Sequence, residues 1–306
     1  MKLLQKERLQ SFAIGLARRA LPLRIRGIPR LMFKTAPYLF GKEAKLQKTV
    51  AGFSLPVDTS EYSDVMMLYG RYSPEFITLF ERLLRPGDRV MDIGAQLGYI
   101  SAHIARLVTQ TGAVYSLEPD PKVLGRLRQT MEQNQFHWVH ILPYAASDRQ
   151  GTISFFISPT PGWSTAVPGS HRKELIHTEV ECNTVDALMA SGQIQGPLRL
   201  VKMDVEGHEC AVLDGMGALL ERDRPLVLME VNPDMMAPLG LGTFDQLERI
   251  VKHRYRLYTV HEQKGLFKGG TPILKPLPSP RAMGFCDVLC VPAEAPFPDG
   301  LILMEH

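Results

Sequence analysis

Apolar positions along the chain change period. Over residues 3–20, Leu9, Phe12, Ala13, Leu16, Ala17 and Ala20 recur at helical spacing, with arginines on the flanks. Residues 21–60 are broken by Pro22, Gly27, Pro29, Pro37, Gly41 and Pro56, which reads as short helices and a connecting strand rather than a separate core. Phe76, Ile77, Leu79, Phe80, Leu83 and Leu84 give residues 74–85 a wide apolar helical face, closed by Pro86-Gly87-Asp88. Beyond that point short apolar runs alternate with helical periods. Arg89–Ile93, Ala113–Leu117, Trp138–Leu142, Arg199–Met203, Leu226–Val231, Tyr255–Val260 and Phe285–Val291 read as strands. Tyr99–Val108, Pro121–Asn134, Glu209–Leu220 and Phe244–His253 read as helices.

Strands separated by single helices build βαβ units. The expected fold is therefore α/β: a Rossmann-like, seven-stranded, mostly parallel sheet with helices on both faces, plus an N-terminal helical extension. Gly151–Ile157 and Thr178–Cys182 add a β excursion between the third and fourth strands. Residues 263–281, with four prolines and three glycines, read as a long loop over the active site. The expected division is an extension over 1–60 and a catalytic domain over 61–306.

Composition changes this picture little. The 306 residues are 45% hydrophobic and 22% charged, which excludes wholesale disorder, collagen and coiled coil. Charge distribution adds more. Residues 1–50 carry 12 basic and two acidic residues, a net +10, and the other 256 carry −7. Cys182, Cys210, Cys286 and Cys290 form no C-x-x-C pair and are too few for a disulfide scaffold, so reduced thiols in the cytoplasm are expected. No run of about 18 apolar residues is present to cross a bilayer. Ser11–Leu23, interrupted by Arg18, Arg19 and Pro22, is not read as a signal peptide.

The clearest chemistry lies at Asp92-Ile93-Gly94-Ala95-Gln96-Leu97-Gly98-Tyr99. A buried strand ends in an acid, a glycine turn follows, and a helix begins. Such a crossover lies at the carboxyl edge of a doubly wound sheet, where ligands bind. The dinucleotide fingerprint G-x-G-x-x-G is absent, since its middle and last positions are Gln96 and Tyr99. A pyrophosphate cradle is thus poorly supported. Asp92 offers an acceptor for an amino-bearing or positively charged ligand. Twenty residues after Gly98, Glu118-Pro119 ends the second strand, where an acid receives both ribose hydroxyls of a nucleoside. A nucleoside site without a phosphate cradle suits S-adenosylmethionine.

Met91–Ser101 (MDIGAQLGYIS), Leu117–Pro121 (LEPDP), Ala145–Asp148 (AASD), Thr184–Ala187 (TVDA), Val201–Glu209 (VKMDVEGHE), Val212–Gly215 and Leu228–Glu230 occur in one order. Together they resemble the FkbM family of S-adenosylmethionine-dependent methyltransferases, over roughly residues 60–260. The resemblance implies a sheet with an antiparallel last strand and O-methylation of hydroxyls on sugars, glycolipids or natural products. It implies that Asp92, Gly94, Ala95, Gln96, Gly98 and Tyr99 hold the methionine part and the turn. Glu118 and Pro119 would meet the ribose, and Ala146, Ser147 and Asp148 the adenine. The family usually has asparagine where this chain has Gln96. Tyr72 resembles the segment leading into the domain and is expected to close over the site. Trp163 and Ser164, in a loop where the family has small polar residues, are expected to meet the substrate.

Methyl transfer to a hydroxyl needs the oxygen held at attack distance and a base for its proton. Asp204, Glu206 and His208 end the fourth strand and open a helix. A histidine in a first helical turn is kept neutral by the dipole, so His208 is the expected base, with Asp204 and Glu206 orienting the hydroxyl. Asp204 is also expected beside the cofactor. No metal is expected, since His208 lacks a second histidine four residues on, where position 212 is Val; the alternative is a hard divalent ion held by Asp204, Glu206 and His208. Three readings of the basic arm stand side by side: a solvated helix packed on the body, a peripheral membrane contact through residues 1–35, and nucleic-acid binding. The last leads to the alternative of an RNA methyltransferase, which the scarcity of aromatics among the basic residues disfavours. A cofactor-binding protein without catalysis is the third functional alternative. The oligomeric state is not legible.

Overall fold

The computed structural model describes residues 2–20, 27–159, 162–169, 174–263, 271–280 and 283–304. Helices α1 (Lys2–Ala20) and α2 (Ile28–Phe40), the hairpin β1 (Lys45–Lys48) and β2 (Ser54–Val57), and helices α3 (Tyr62–Leu68) and α4 (Pro74–Leu83) precede the main sheet. Then follow β3 (Arg89–Ile93), α5 (Tyr99–Val108), β4 (Ala113–Leu117), α6 (Pro121–Gln133) and β5 (Val139–Leu142). A small three-stranded sheet comes next, from β6 (Ala145–Ala146), β7 (Gly151–Ile157) and β8 (Ile176–Asn183), closed by α7 (Val185–Ala190). The second half runs β9 (Leu200–Met203), α8 (Glu209–Asp214), α9 (Gly217–Arg222), β10 (Leu226–Val231), α10 (Pro233–Met236) and α11 (Thr243–Val251). It ends with β11 (Tyr255–Glu262), β12 (Pro272–Leu277), β13 (Cys286–Pro292) and β14 (Ile302–Leu303).

The main sheet has the order β14-β12-β11-β13-β10-β9-β3-β4-β5. Strands β5, β4, β3, β9 and β10 are mutually parallel, and β13 runs antiparallel between β10 and β11. The seven expected strands are all present, including the reversed one. Their central members are fully buried apolar runs, such as Leu200-Val201 and Leu226–Met229, as a sheet covered on both faces requires. The chain order reverses direction between β3 and β9, and both strands end at the same edge. A ligand cleft forms there.

Two expectations need correction. The sheet has nine strands rather than seven, because residues 272–277 pair antiparallel with β11 instead of forming a loop. Buried Pro272 and Leu274 alternate with more exposed Ile273 and Lys275, a strand pattern that the prolines obscured. Residues 264–270 of that segment lie outside the described residues. The single helix expected over Glu209–Leu220 breaks into α8 and α9 around Gly215, where a Cβ would lie 1.9 Å from the Ser147 carbonyl oxygen. Ala17, Ala36 and Phe40 of the first two helices join the same apolar cluster as Val65, Leu79 and Phe80. The four cysteines are free thiols.

Candidate active site

The turn after β3 and the end of β9 meet at the sheet's carboxyl edge. Gly94 has φ 79°, and a Cβ there would lie 1.9 Å from the Asp204 carbonyl oxygen. Only glycine allows the two backbones to approach this closely. Gly98 has φ 88°, and its Cβ would meet the side chains of Met131 and Leu127 on α6. Gly98 thus serves the packing of α5 on α6 and does not face the ligand cleft.

A cleft of about 1190 Å³, its mouth included, opens at this edge. Gly94, Ala95, Gln96, Tyr99, Glu118 and Pro119 line one side. The Glu118 carboxylate is fixed, with Oε2 accepting from the Gln96 amide and Oε1 from the Asp120 amide, each at 2.8 Å. Burial pushes its carboxyl up to about 7, against the pull of those two amides. Tyr144, Ala146 and Phe155 supply an apolar wall. Gln96 has φ 51°, a left-handed conformation that asparagine tolerates better, and its amide packs against Gly162. Ser73 (φ 42°) and Glu206 (φ 57°) are left-handed too, and all three line the cleft. Backbone strain of this kind concentrates at functional sites.

Other expected residues fall elsewhere. Asp92 is 0% exposed and lies beneath the cleft, not on its wall. Register explains this: Asp92 pairs with Lys202 on β9 and with Ser116 on β4. Its Oδ2 accepts from Ser101 Oγ at 2.6 Å, and Lys202 Nζ lies 3.6 Å from Oδ1. The charge of Asp92 is therefore spent on Lys202 rather than offered to a ligand. Ser147 is buried and Asp148 is exposed beside Arg149; neither lines the cleft, because the chain turns away after β6. Ser164 lines it, but its hydroxyl donates to Asp120 Oδ2 at 2.6 Å. Trp163 is 52% exposed at the cleft, and Tyr72 stands edge-on to Tyr99 at 5.8 Å.

The far side of the cleft is acidic. Carboxylate oxygens of Asp204, Glu206 and Glu230 all lie within 4.8 Å of one another. Burial, then the charges of Asp204 and Glu206, push the Glu230 carboxyl far above its ordinary value, and it shares a hydrogen bond with Asp204. Asp287, opposite Glu230 on β13, is pushed up to about 7 by burial and then by Asp204 and Glu75. Lys202 Nζ stands 3.5 Å from Asp204 Oδ2. Burial opposes its charge, yet Asp204 and Asp92 outweigh burial and hold the ammonium above its ordinary value. His208 is not part of this group. It precedes α8 without a side-chain bond to the helix and lines the cleft, its Nε2 is 3.1 Å from Ser147 Oγ, and burial lowers its pKa to about 4. It is neutral as expected, but burial rather than the helix dipole is the chief cause.

Sequence reasoning gave no role to Lys202, Glu230 or Asp287. A lysine between Val201 and Met203, and acids at Glu230 and Asp287 within apolar strands, were the available signals.

Residues 92–257 match the model of the methyltransferase FkbM domain. Hexuronic acid methyltransferase AglP of Haloferax volcanii is 33% identical over 138 residues, 44% of this chain and 52% of that protein. Protein-L-isoaspartate O-methyltransferase of Aeropyrum pernix is 40% identical over 55 residues, 18% of this chain and 21% of that protein. The chain thus spans about half or less of the curated relatives it matches. Among solved structures, an FkbM methyltransferase from Methylobacillus flagellatus KT aligns with TM-score 0.41 and 16% identity, covering 86% of this chain and 59% of that one. Methyltransferases of this family use S-adenosylmethionine. With a family match over more than half its length, the chain belongs to the FkbM methyltransferase domain family.

Proposed function

We propose that this methyltransferase methylates a hydroxyl oxygen of a sugar, glycolipid or natural-product small molecule, with Asp204 as the base. The carrying observation is the acidic trio of Asp204, Glu206 and Glu230 beside the cleft that also holds Glu118 and the Gly94 turn. The donor set fits S-adenosylmethionine: a fixed carboxylate for ribose hydroxyls, an apolar wall for adenine, and no phosphate cradle. When bound, S-adenosylmethionine supplies the electrophilic methyl group.

The chain's own residues do the rest. Glu118, with a free lone pair on each oxygen, receives the ribose hydroxyls. Tyr144, Ala146 and Phe155 flank the adenine. Asp204 reaches the cleft with its side chain 35% exposed and accepts the hydroxyl proton as the O–CH3 bond forms and the S–CH3 bond breaks. Glu206 orients the acceptor. Glu230, already protonated, donates to Asp204 and keeps a third full negative charge out of the trio. Trp163 and Tyr72 flank the acceptor's entry. AglP, named for a hexuronic acid, supports a sugar acceptor. Transfer of an isotopically labelled methyl group from S-adenosylmethionine, across neutral sugars, uronic acids, glycolipids and phenols, tests the reading. Labelled methyl ether on a hydroxyl acceptor supports it. Label only on nitrogen or carboxyl oxygen contradicts it.

A further inference from the structure

We propose that α1 and α2 form a docking surface for an anionic lipid bilayer. The inner face of α1 is satisfied by the protein: Ala17 is buried, and Gln10 Nε2 donates to the Leu39 carbonyl of α2 at 2.7 Å. Its outer face is not. Leu9, Phe12 and Leu16, at i, i+3 and i+7, are 53%, 68% and 57% exposed. On α2, Leu31 and Tyr38 share a face and are 61% and 87% exposed. Large apolar side chains aligned on an outer face call for a covering partner.

Charge selects the partner. Between residues 8 and 48, Arg8, Arg18, Arg19, Arg30, Lys34, Lys42, Lys45 and Lys48 are exposed, against one exposed acid, Glu43. A second copy of the same surface is repelled by that charge. A nucleic acid would take up the charge but leave Leu9, Phe12 and Leu16 in water. An anionic bilayer takes both: apolar side chains enter the headgroup–acyl boundary while guanidinium and ammonium groups meet lipid phosphates. The surface adjoins the cleft, because Phe33 of α2 packs on Tyr62 of α3 at 5.5 Å, and Ser63 and Met67 of α3 line the cleft. Docking thus brings the cleft near the membrane plane.

The test is flotation of the full chain with vesicles of phosphatidylcholine alone or with about one-third phosphatidylglycerol, at low and high salt. Recovery with the anionic vesicles alone, reduced by salt, is expected. A Phe12→Ser/Leu16→Ser variant should float at least tenfold less, and Arg18→Glu/Arg19→Glu likewise. Both variants should keep wild-type affinity for S-adenosylhomocysteine, which separates lost docking from lost folding. Absence of flotation overturns the proposal, as does equal recovery of Phe12→Ser/Leu16→Ser. Single-stranded RNA that binds the wild type and this variant equally and competes away the vesicles also overturns it.

Discussion

Replacing Gly94 by alanine tests whether the cleft depends on contact between the β3 turn and the end of β9. Two costs arise. Alanine at φ 79° enters the left-handed region, which costs about 1–2 kcal/mol. Its Cβ would also lie 1.9 Å from the Asp204 carbonyl oxygen and 3.0 Å from the carbonyl carbon. Both are backbone atoms that no rotamer change can move, and overpacking of this kind adds about 1–3 kcal/mol. The expected loss is about 2–5 kcal/mol. Gly98→Ala is the internal control. It has the same backbone cost at φ 88°, but its Cβ meets Met131 Cε and Leu127 Cδ1, ends of flexible side chains. Urea denaturation followed by tryptophan fluorescence should place Gly94→Ala at least about 1 kcal/mol below Gly98→Ala. Calorimetry should show weaker S-adenosylhomocysteine binding for Gly94→Ala, since relieving the clash drives the turn and Asp204 apart. Equal stabilities, with binding intact in both, would refute the reasoning.

Further outcomes follow from the electrostatics. In the ligand-free fold the Glu118 carboxyl titrates near 7, above its unfolded value of 4.5, so its ionisation erodes stability as pH rises between those values. Ribose hydroxyls donate to the ionised form, so S-adenosylhomocysteine affinity should rise about tenfold from pH 6 to 8; calorimetry on Glu118→Gln should show weaker, flatter binding. His208→Ala should retain turnover within about tenfold, because its ring bonds Ser147 away from the acidic trio. A loss of about 10²–10⁴-fold would return the base role to His208. Glu230→Gln, which imitates a protonated carboxyl, should turn over within about fivefold of wild type at pH 7, and Glu230→Ala markedly less; steady-state rates decide it.

The parts of the site that local sequence specifies were legible. The β3–α5 turn declares itself through an apolar strand ending in glycines, and Glu118 through its distance from them. Asp204 and Glu206 follow from the strand-to-helix edge after β9. What failed depends on pairing between distant segments. Asp92 reads as a ligand group until register sets Lys202 opposite it. Glu230 and Asp287 become neighbours because β13 inserts antiparallel beside β10, 57 residues along the chain from Glu230 to Asp287. His208 carries the right chemistry four residues after Asp204, and only the fold shows that its ring meets Ser147. In β12, prolines read as loop punctuation occupy a strand near the sheet's edge, where a missing N–H is tolerated.

The central claim is that Asp204 takes the acceptor's proton. Asp204→Asn keeps the shape of the side chain and its contact with Glu230 but removes the base. Single-turnover methyl transfer, measured beside S-adenosylhomocysteine affinity, separates chemistry from binding. The account predicts a rate about 10²–10⁴-fold lower with affinity changed by less than about fivefold. A variant that transfers methyl at the wild-type rate, or that loses affinity alone, contradicts it.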